Sequence, residues 1–78
     1  MTSEAILNRV IELFSTMTEV EVVTADSEIL EDLEISSMDV LFLISAMEEE
    51  FHISIPEKKI RKVVTVGDVA EMIGQLIQ

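Results

Sequence analysis

The chain has 78 residues, with 16 acidic against 5 basic side chains, a formal charge of -11, no cysteine and three aromatic residues. A chain of this length forms one domain, and its core must be aliphatic and must use nearly every well-placed apolar residue. The charge argues against nucleic acid and anionic membranes and favours basic protein surfaces as partners, while the lack of cysteine excludes disulfides and thiolate-held metal.

From Ser3 to about Met17, the residues Ile6, Val10, Leu13, Phe14 and Met17 recur at three- and four-residue steps, with Leu7 and Ile11 widening the stripe. That period predicts a first amphipathic helix. Residues 1–9 lack the basic start and apolar run of a signal peptide, and no segment approaches the roughly 18 apolar residues of a membrane span. A soluble, cytoplasmic protein without stable membrane insertion is expected. Between Thr18 and Ile35 the period fades into a long acidic connection, where Val20, Val22, Val23, Ile29, Leu30 and Leu33 are available as anchors to the core. A connection this long is either a functional loop or a plain bridge between two helices.

A second helix is predicted from Ser36 or Ser37 to about Phe51, with Ser36 and Asp39 forming a capping box. Ile53, Ser54 and Ile55 read as a short extended piece ending at Pro56, and residues 57–62 suit one or two helical turns. Thr65 and Asp68 form another capping box, which opens a last helix carrying Val69, Met72, Ile73, Leu76 and Ile77 on one face. Gly67 and Gly74 each cost that helix up to about 1 kcal/mol relative to Ala, so packing must hold it. The expected fold is all-α: a small four-helix bundle, three helices long and one short, with a long first loop and residues 1–78 as a single domain. Opening on Met1 and closing soon after the last helix, the chain is expected to be a free-standing protein rather than a slice of a larger polypeptide; a monomer is expected.

Candidates for catalysis are few. His52 is the only histidine, cysteine is absent, and no serine lies in a nucleophile-elbow sequence. His52, at the end of the second helix, reads as a partly exposed surface residue. The acidic stretch from Asp26 to Glu34 lacks the alternating ligands and central glycine of a calcium loop, so it reads as a solvated face. A serine at the start of the second helix is better placed, because free amides and the positive end of the helix dipole favour an attached phosphate there. Serine is also among the commonest helix caps, and local pattern alone does not separate the two roles.

The run Glu31-Asp32-Leu33-Glu34-Ile35-Ser36-Ser37-Met38-Asp39 is followed in register by Ala46-Met47-Glu48-Glu49-Glu50-Phe51, Ile53-Ser54-Ile55-Pro56 and Thr65-Val66-Gly67-Asp68-Val69. Together these segments, which cover most of the chain, closely resemble the acyl carrier protein family. In that family the serine of an Asp-Ser-Leu motif receives 4'-phosphopantetheine from coenzyme A, and the match places it at Ser37. Ser36 stands where the family usually has Asp, and Glu34 stands where Gly is common. Asp39 keeps its usual place two residues after the modified serine, so the resemblance assigns Ser37 and leaves Ser36 as the helix cap. The missing Asp leaves room for a dedicated phosphopantetheinyl transferase.

The resemblance implies a carrier without catalytic activity of its own. It would hold an acyl group as a thioester and present it to acyl-loading and acyl-processing enzymes of fatty-acid, polyketide or related lipid biosynthesis, through their basic docking surfaces. An aminoacyl or peptidyl carrier and an unmodified helical interaction module are the alternatives. Since an attached chain can slip between the helices in this family, Leu43, Ile44, Met47, Ile60 and Ile73 are the candidate acyl-pocket lining, with an ordinary core role as the alternative.

From Met38 to Met47 the second helix is apolar around nearly its whole circumference. If Val40, Leu43, Ile44, Met47 and Phe51 point inward, then Met38, Phe42, Ser45 and Glu49 follow on the outer side. In the family that side contacts partner enzymes, and an acidic residue is usual where Phe42 stands. Met38 and Phe42 are therefore expected to form an apolar contact patch, with Ser36, Asp39, Glu48 and Glu49 completing the partner surface; the alternative buries Phe42 beneath the long loop. Glu48, Glu49 and Glu50 oppose the helix dipole, so stability alone does not place them there; the resemblance implies a binding role, with solvated charges on an acidic protein as the alternative. Lys58, Lys59, Arg61 and Lys62 could pair with acids inside the fold or form a contrasting patch.

Overall fold

The structure, a computed structural model, describes residues 2–77. Four helices follow in order: α1 (Ser3–Ser15), α2 (Ser37–Phe51), α3 (Glu57–Ile60) and α4 (Val66–Ile77). Among the described residues the sole β-type pairing is an isolated antiparallel bridge between Glu28 and Thr65. The all-α bundle expected from the sequence is the fold observed.

Each long helix begins where a side chain satisfies an otherwise unpaired amide. Thr2 Oγ1 accepts from the Ala5 amide at 3.1 Å and starts α1. The helix stops two residues short of the periodic pattern, because the Thr16 and Met17 amides turn back to the Leu13 and Phe14 carbonyls. Ile6, Val10 and Phe14 are buried, and α1 packs chiefly on α4 while touching α2. Ser36 caps α2 by accepting from the Asp39 amide at 3.2 Å, which is the forward half of the expected capping box. At the other end His52 adopts a left-handed conformation, φ 55°, and its amide donates to the Glu48 carbonyl.

The capping box of α4 is complete. The Asp68 amide donates to Thr65 Oγ1 at 3.1 Å, and Asp68 Oδ2 accepts from the Thr65 and Val64 amides, each at 3.0 Å. Those backbone donors, Thr65 first and Val64 second, hold the Asp68 carboxyl below its ordinary range. A carboxylate whose pKa is depressed by folding stabilises the native state above its unfolded pKa of about 4, and that contribution is lost as pH falls through the folded value. Asp68→Asn should therefore be less stable than the wild type at pH 7, and the gap should narrow as urea titrations descend below about pH 4. A pH-independent gap would show that the charge on the cap adds nothing to its hydrogen bonds.

Val66, Val69, Ala70, Met72 and Ile73 form the buried face of α4, while Leu76 is half-buried and Ile77 is exposed. The buried face thus starts one residue inside the box and ends before the last turn, where the helix outruns the core.

The connection from Thr18 to Ile35 is anchored by Val23, Ile29, Leu33 and Ile35, whereas Val20, Val22 and Leu30, also expected to anchor it, face solvent. Its path is set by the start of α4. The Ile29 amide donates to the Val64 carbonyl, the Val66 amide to that of Ser27, and the Gly67 amide to that of Ala25, at 3.0, 3.0 and 2.8 Å. At Gly67 a Cβ would lie 2.9 Å from the Ala25 carbonyl oxygen, so this approach requires glycine. Side chains in such a segment point where these distant bonds aim the backbone, and no sequence period announces it.

Glu34, in the turn before Ser36, is held at φ 53° between the buried Leu33 and Ile35. An L-residue in that region is disfavoured by roughly 1–2 kcal/mol, part of which glycine loses again through its freer unfolded chain. Glu34→Gly should therefore stabilise the protein by about 0.5–1 kcal/mol and raise Tm by several degrees. Unchanged or lower Tm in calorimetry would show that the Glu34 side chain contributes more than its backbone costs.

Candidate functional site

Ser37 is the first residue of α2 and is exposed. Its neighbour Ser36 has Oγ engaged in the helix cap, while the Ser37 hydroxyl has no part in that cap. The two hydroxyls thus differ in their geometry: that of Ser36 is tied into the cap and that of Ser37 lies outside it. The Ser37 and Met38 amides belong to the first turn, where no intrahelical acceptor exists, and they lie at the positive end of the helix dipole. An exposed primary hydroxyl beside such donors suits a phosphodiester.

Ser37 also borders a half-open groove of about 460 Å³. Ile29, Leu30, Val40, Leu41, Ile60, Val63 and Val64 give it apolar walls, with Glu28, Glu31 and Arg61 at its rim. Of the five residues expected to line an acyl pocket, Ile60 borders this groove, while Leu43, Ile44, Met47 and Ile73 are closed inside the core. The other walls come from the connection after α1 and the segment before α4, brought together by the Ile29–Val64 hydrogen bond. The apolar character of Ile29 and Leu30 was visible in the sequence, but their pairing with residues 63 and 64 was not.

The expected partner surface is partly rearranged. Met38 and Phe42 are 69% and 68% exposed, so Phe42 lies on the surface and not beneath the loop. Leu41, 54% exposed, joins them, although the sequence pattern did not single it out. Asp39 is half-buried and Glu49 exposed. Glu48 has an internal task, since its Oε2 accepts from the Ile55 amide at 2.8 Å and closes the turn after α2. Glu50 receives two hydrogen bonds from Arg9, Nε at 2.5 Å and Nη2 at 2.6 Å, and the guanidinium holds its carboxyl below the usual range. Arg61 pairs with Glu57 at 2.7 Å, one turn away, whereas Lys58, Lys59 and Lys62 take part in no ion pair among the described residues. His52 is an exposed helix terminator. Among the described residues no cluster of three or more His, Asp or Glu could hold a metal ion, and no helix is long and apolar enough to cross a membrane.

Residues 8–73, which contain Ser37 and the groove beside it, match the family described as the phosphopantetheine attachment site. An acyl carrier protein of Helicobacter pylori (strain J99) is 47% identical over 51 residues, covering 65% of this chain and 65% of that protein. One of Wolinella succinogenes is 45% identical over 53 residues, covering 68% of this chain and 70% of that protein, and one of Helicobacter acinonychis (strain Sheeba) is 47% identical over 51 residues, 65% of each. The alignment thus spans about two thirds of each relative's length. The chain belongs to the acyl carrier protein family, whose cofactor is covalently attached 4'-phosphopantetheine.

Proposed function

We propose that the protein is an acyl carrier of fatty-acid, polyketide or related lipid biosynthesis in the cytoplasm, with Ser37 as its attachment residue and no catalytic activity of its own. The observation that carries this reading is the exposed Ser37 side chain, outside the helix cap and at the edge of an apolar groove. Loading requires Ser37 Oγ to attack the β-phosphorus of coenzyme A. The P–O bond of the pyrophosphate breaks, adenosine 3',5'-bisphosphate leaves with the electron pair, and the serine proton passes to a base of the transferase. Once attached, the arm supplies a terminal thiol that holds an acyl group as a thioester.

The rest follows from this chain's own residues. The first-turn amides and dipole of α2 favour the phosphodiester at Ser37. Ile29, Val40, Ile60 and Val63 offer apolar surface to an alkyl cargo, while Leu43, Ile44, Met47 and Ile73 form the core behind it. Asp39 and Glu49 remain available to basic surfaces of the transferase and of acyl-handling enzymes, whereas Glu48 and Glu50 are engaged within the fold.

Incubation with coenzyme A, magnesium and a phosphopantetheinyl transferase should add the mass of one phosphopantetheine to the intact protein. Absence of any gain with several transferases would leave only an unmodified interaction module.

A further inference from the structure

Four of the five cationic side chains, Lys58, Lys59, Arg61 and Lys62, fall within five consecutive residues, and the fifth, Arg9, is bound to Glu50 and Glu12. The cluster occupies α3 and the turn after it, where Lys58, Arg61 and Lys62 are exposed and Lys59 is half-buried. Its two flanks face different grooves. Arg61 lines the groove that Ser37 borders, while Lys59 and Lys62 line a second, open one of about 320 Å³ between α3 and α4. This segment is therefore a cationic ridge between two grooves, with one edge reaching the groove of the attachment serine.

The fold does not account for the ridge. Only Arg61 has an acidic partner, Glu57, and with both side chains 76% exposed that pair contributes little and exchanges readily. Asp68 and Glu71 share the second groove with Lys59 and Lys62, yet no ion pair joins them among the described residues, and the Asp68 carboxylate is taken by the Val64 and Thr65 amides. In a chain with 16 acidic residues, cations serving stability belong among those acids; side by side they repel one another instead.

The ridge spans little more than one helical turn, so its complement is a small cluster of carboxylates. A membrane or a nucleic acid is anionic over a much wider area and would meet the strongly negative remainder of this chain, beyond the ridge's reach at a Debye length of about 8 Å. A protein surface changes sign over such short distances. We propose that the α3 ridge docks an acidic patch on the acyl-loading enzyme, which carries carboxylates opposite α3 next to the cations it offers to Asp39 and Glu49. The identity of this partner rests on the carrier reading. Neighbouring patches of opposite sign fix the rotation of the enzyme about Ser37, and a uniformly basic docking surface is repelled by α3.

The test uses the protein with its arm attached, verified by intact mass, and the acyl-loading enzyme of the same organism. Lys58→Glu/Lys62→Glu should raise KM for the protein about fivefold or more with kcat little changed, and the rise should shrink as salt is added. Lys58→Arg/Lys62→Arg should stay near wild type. Both replaced side chains are exposed, and matching thermal unfolding confirms that the fold is intact. A fall in KM overturns the proposal, since the enzyme surface against α3 would then be basic, and an unchanged KM overturns it by placing the ridge outside the contact. Failure of the wild type to take up the arm sinks the carrier reading and this partner with it, and is read separately, by mass, before any kinetics.

Discussion

Ser37→Ala should take up no phosphopantetheine under conditions that load the wild type completely, because the variant removes the only atom at that position able to form the ester. Ser36→Ala gives the contrasting result. Its hydroxyl accepts from the Asp39 amide, so its loss leaves that donor unpaired at the helix start and costs about 1 kcal/mol of stability. Loading of Ser36→Ala should nevertheless go to completion, with a Tm several degrees below wild type. Intact mass and calorimetry on the two proteins therefore separate an attachment residue from a capping residue. The reverse pattern, a mass gain in Ser37→Ala and none in Ser36→Ala, would move the arm to Ser36 and shift the whole family register by one residue.

Phe14→Ala should destabilise the fold far more than any change at Ser36, Ser37 or Phe42. Phe14 is fully buried near the end of α1, against a core otherwise built from aliphatic side chains and methionine. Truncating a buried phenylalanine costs about 3–5 kcal/mol, as lost transfer free energy plus the cavity left behind. At roughly 0.05–0.15 kcal/mol per residue, a domain of this size has roughly 4–12 kcal/mol in total, so the variant should be marginally folded. Urea unfolding followed by far-UV circular dichroism should show a much lower midpoint with an unchanged slope. A loss under about 1 kcal/mol would mean that neighbouring side chains collapse into the space. Phe42→Glu, a larger chemical change at an exposed residue, should move the midpoint by less than about 0.5 kcal/mol equivalent.

The helices were legible because their signals are local. Three- and four-residue spacing marked the inward faces of α1 and α4, and Ser36, Pro56 and Thr65 marked three starts by chemistry that needs no distant partner. The assignment of Ser37 as attachment residue rests on family register, since Ser36 and Ser37 are alike in local pattern; the structure adds that Ser36 is the one whose hydroxyl caps the helix. The groove was not legible. Its walls join Ile29 and Leu30 to Val63 and Val64, and that junction depends on backbone hydrogen bonds between segments that share no period. For the same reason Val20, Val22 and Leu30 were expected inside and lie outside. The intramolecular bonds of Glu48 to an amide seven residues on and of Glu50 to an arginine from α1 were likewise invisible in the sequence, because both partners lie outside the helix.

The pairing of residues 25–29 with residues 64–67 also bears on the order in which the molecule assembles. The cap of α2 closes within four residues, a fast local event, whereas the pairing must bring together segments separated by the whole of α2 and α3. Ser37 therefore heads a helix that can nucleate early, while the apolar wall beside it is completed only when the C-terminal part of the chain arrives. The exposed Ser37 hydroxyl is a product of local structure, and the apolar groove beside it is a product of the finished topology.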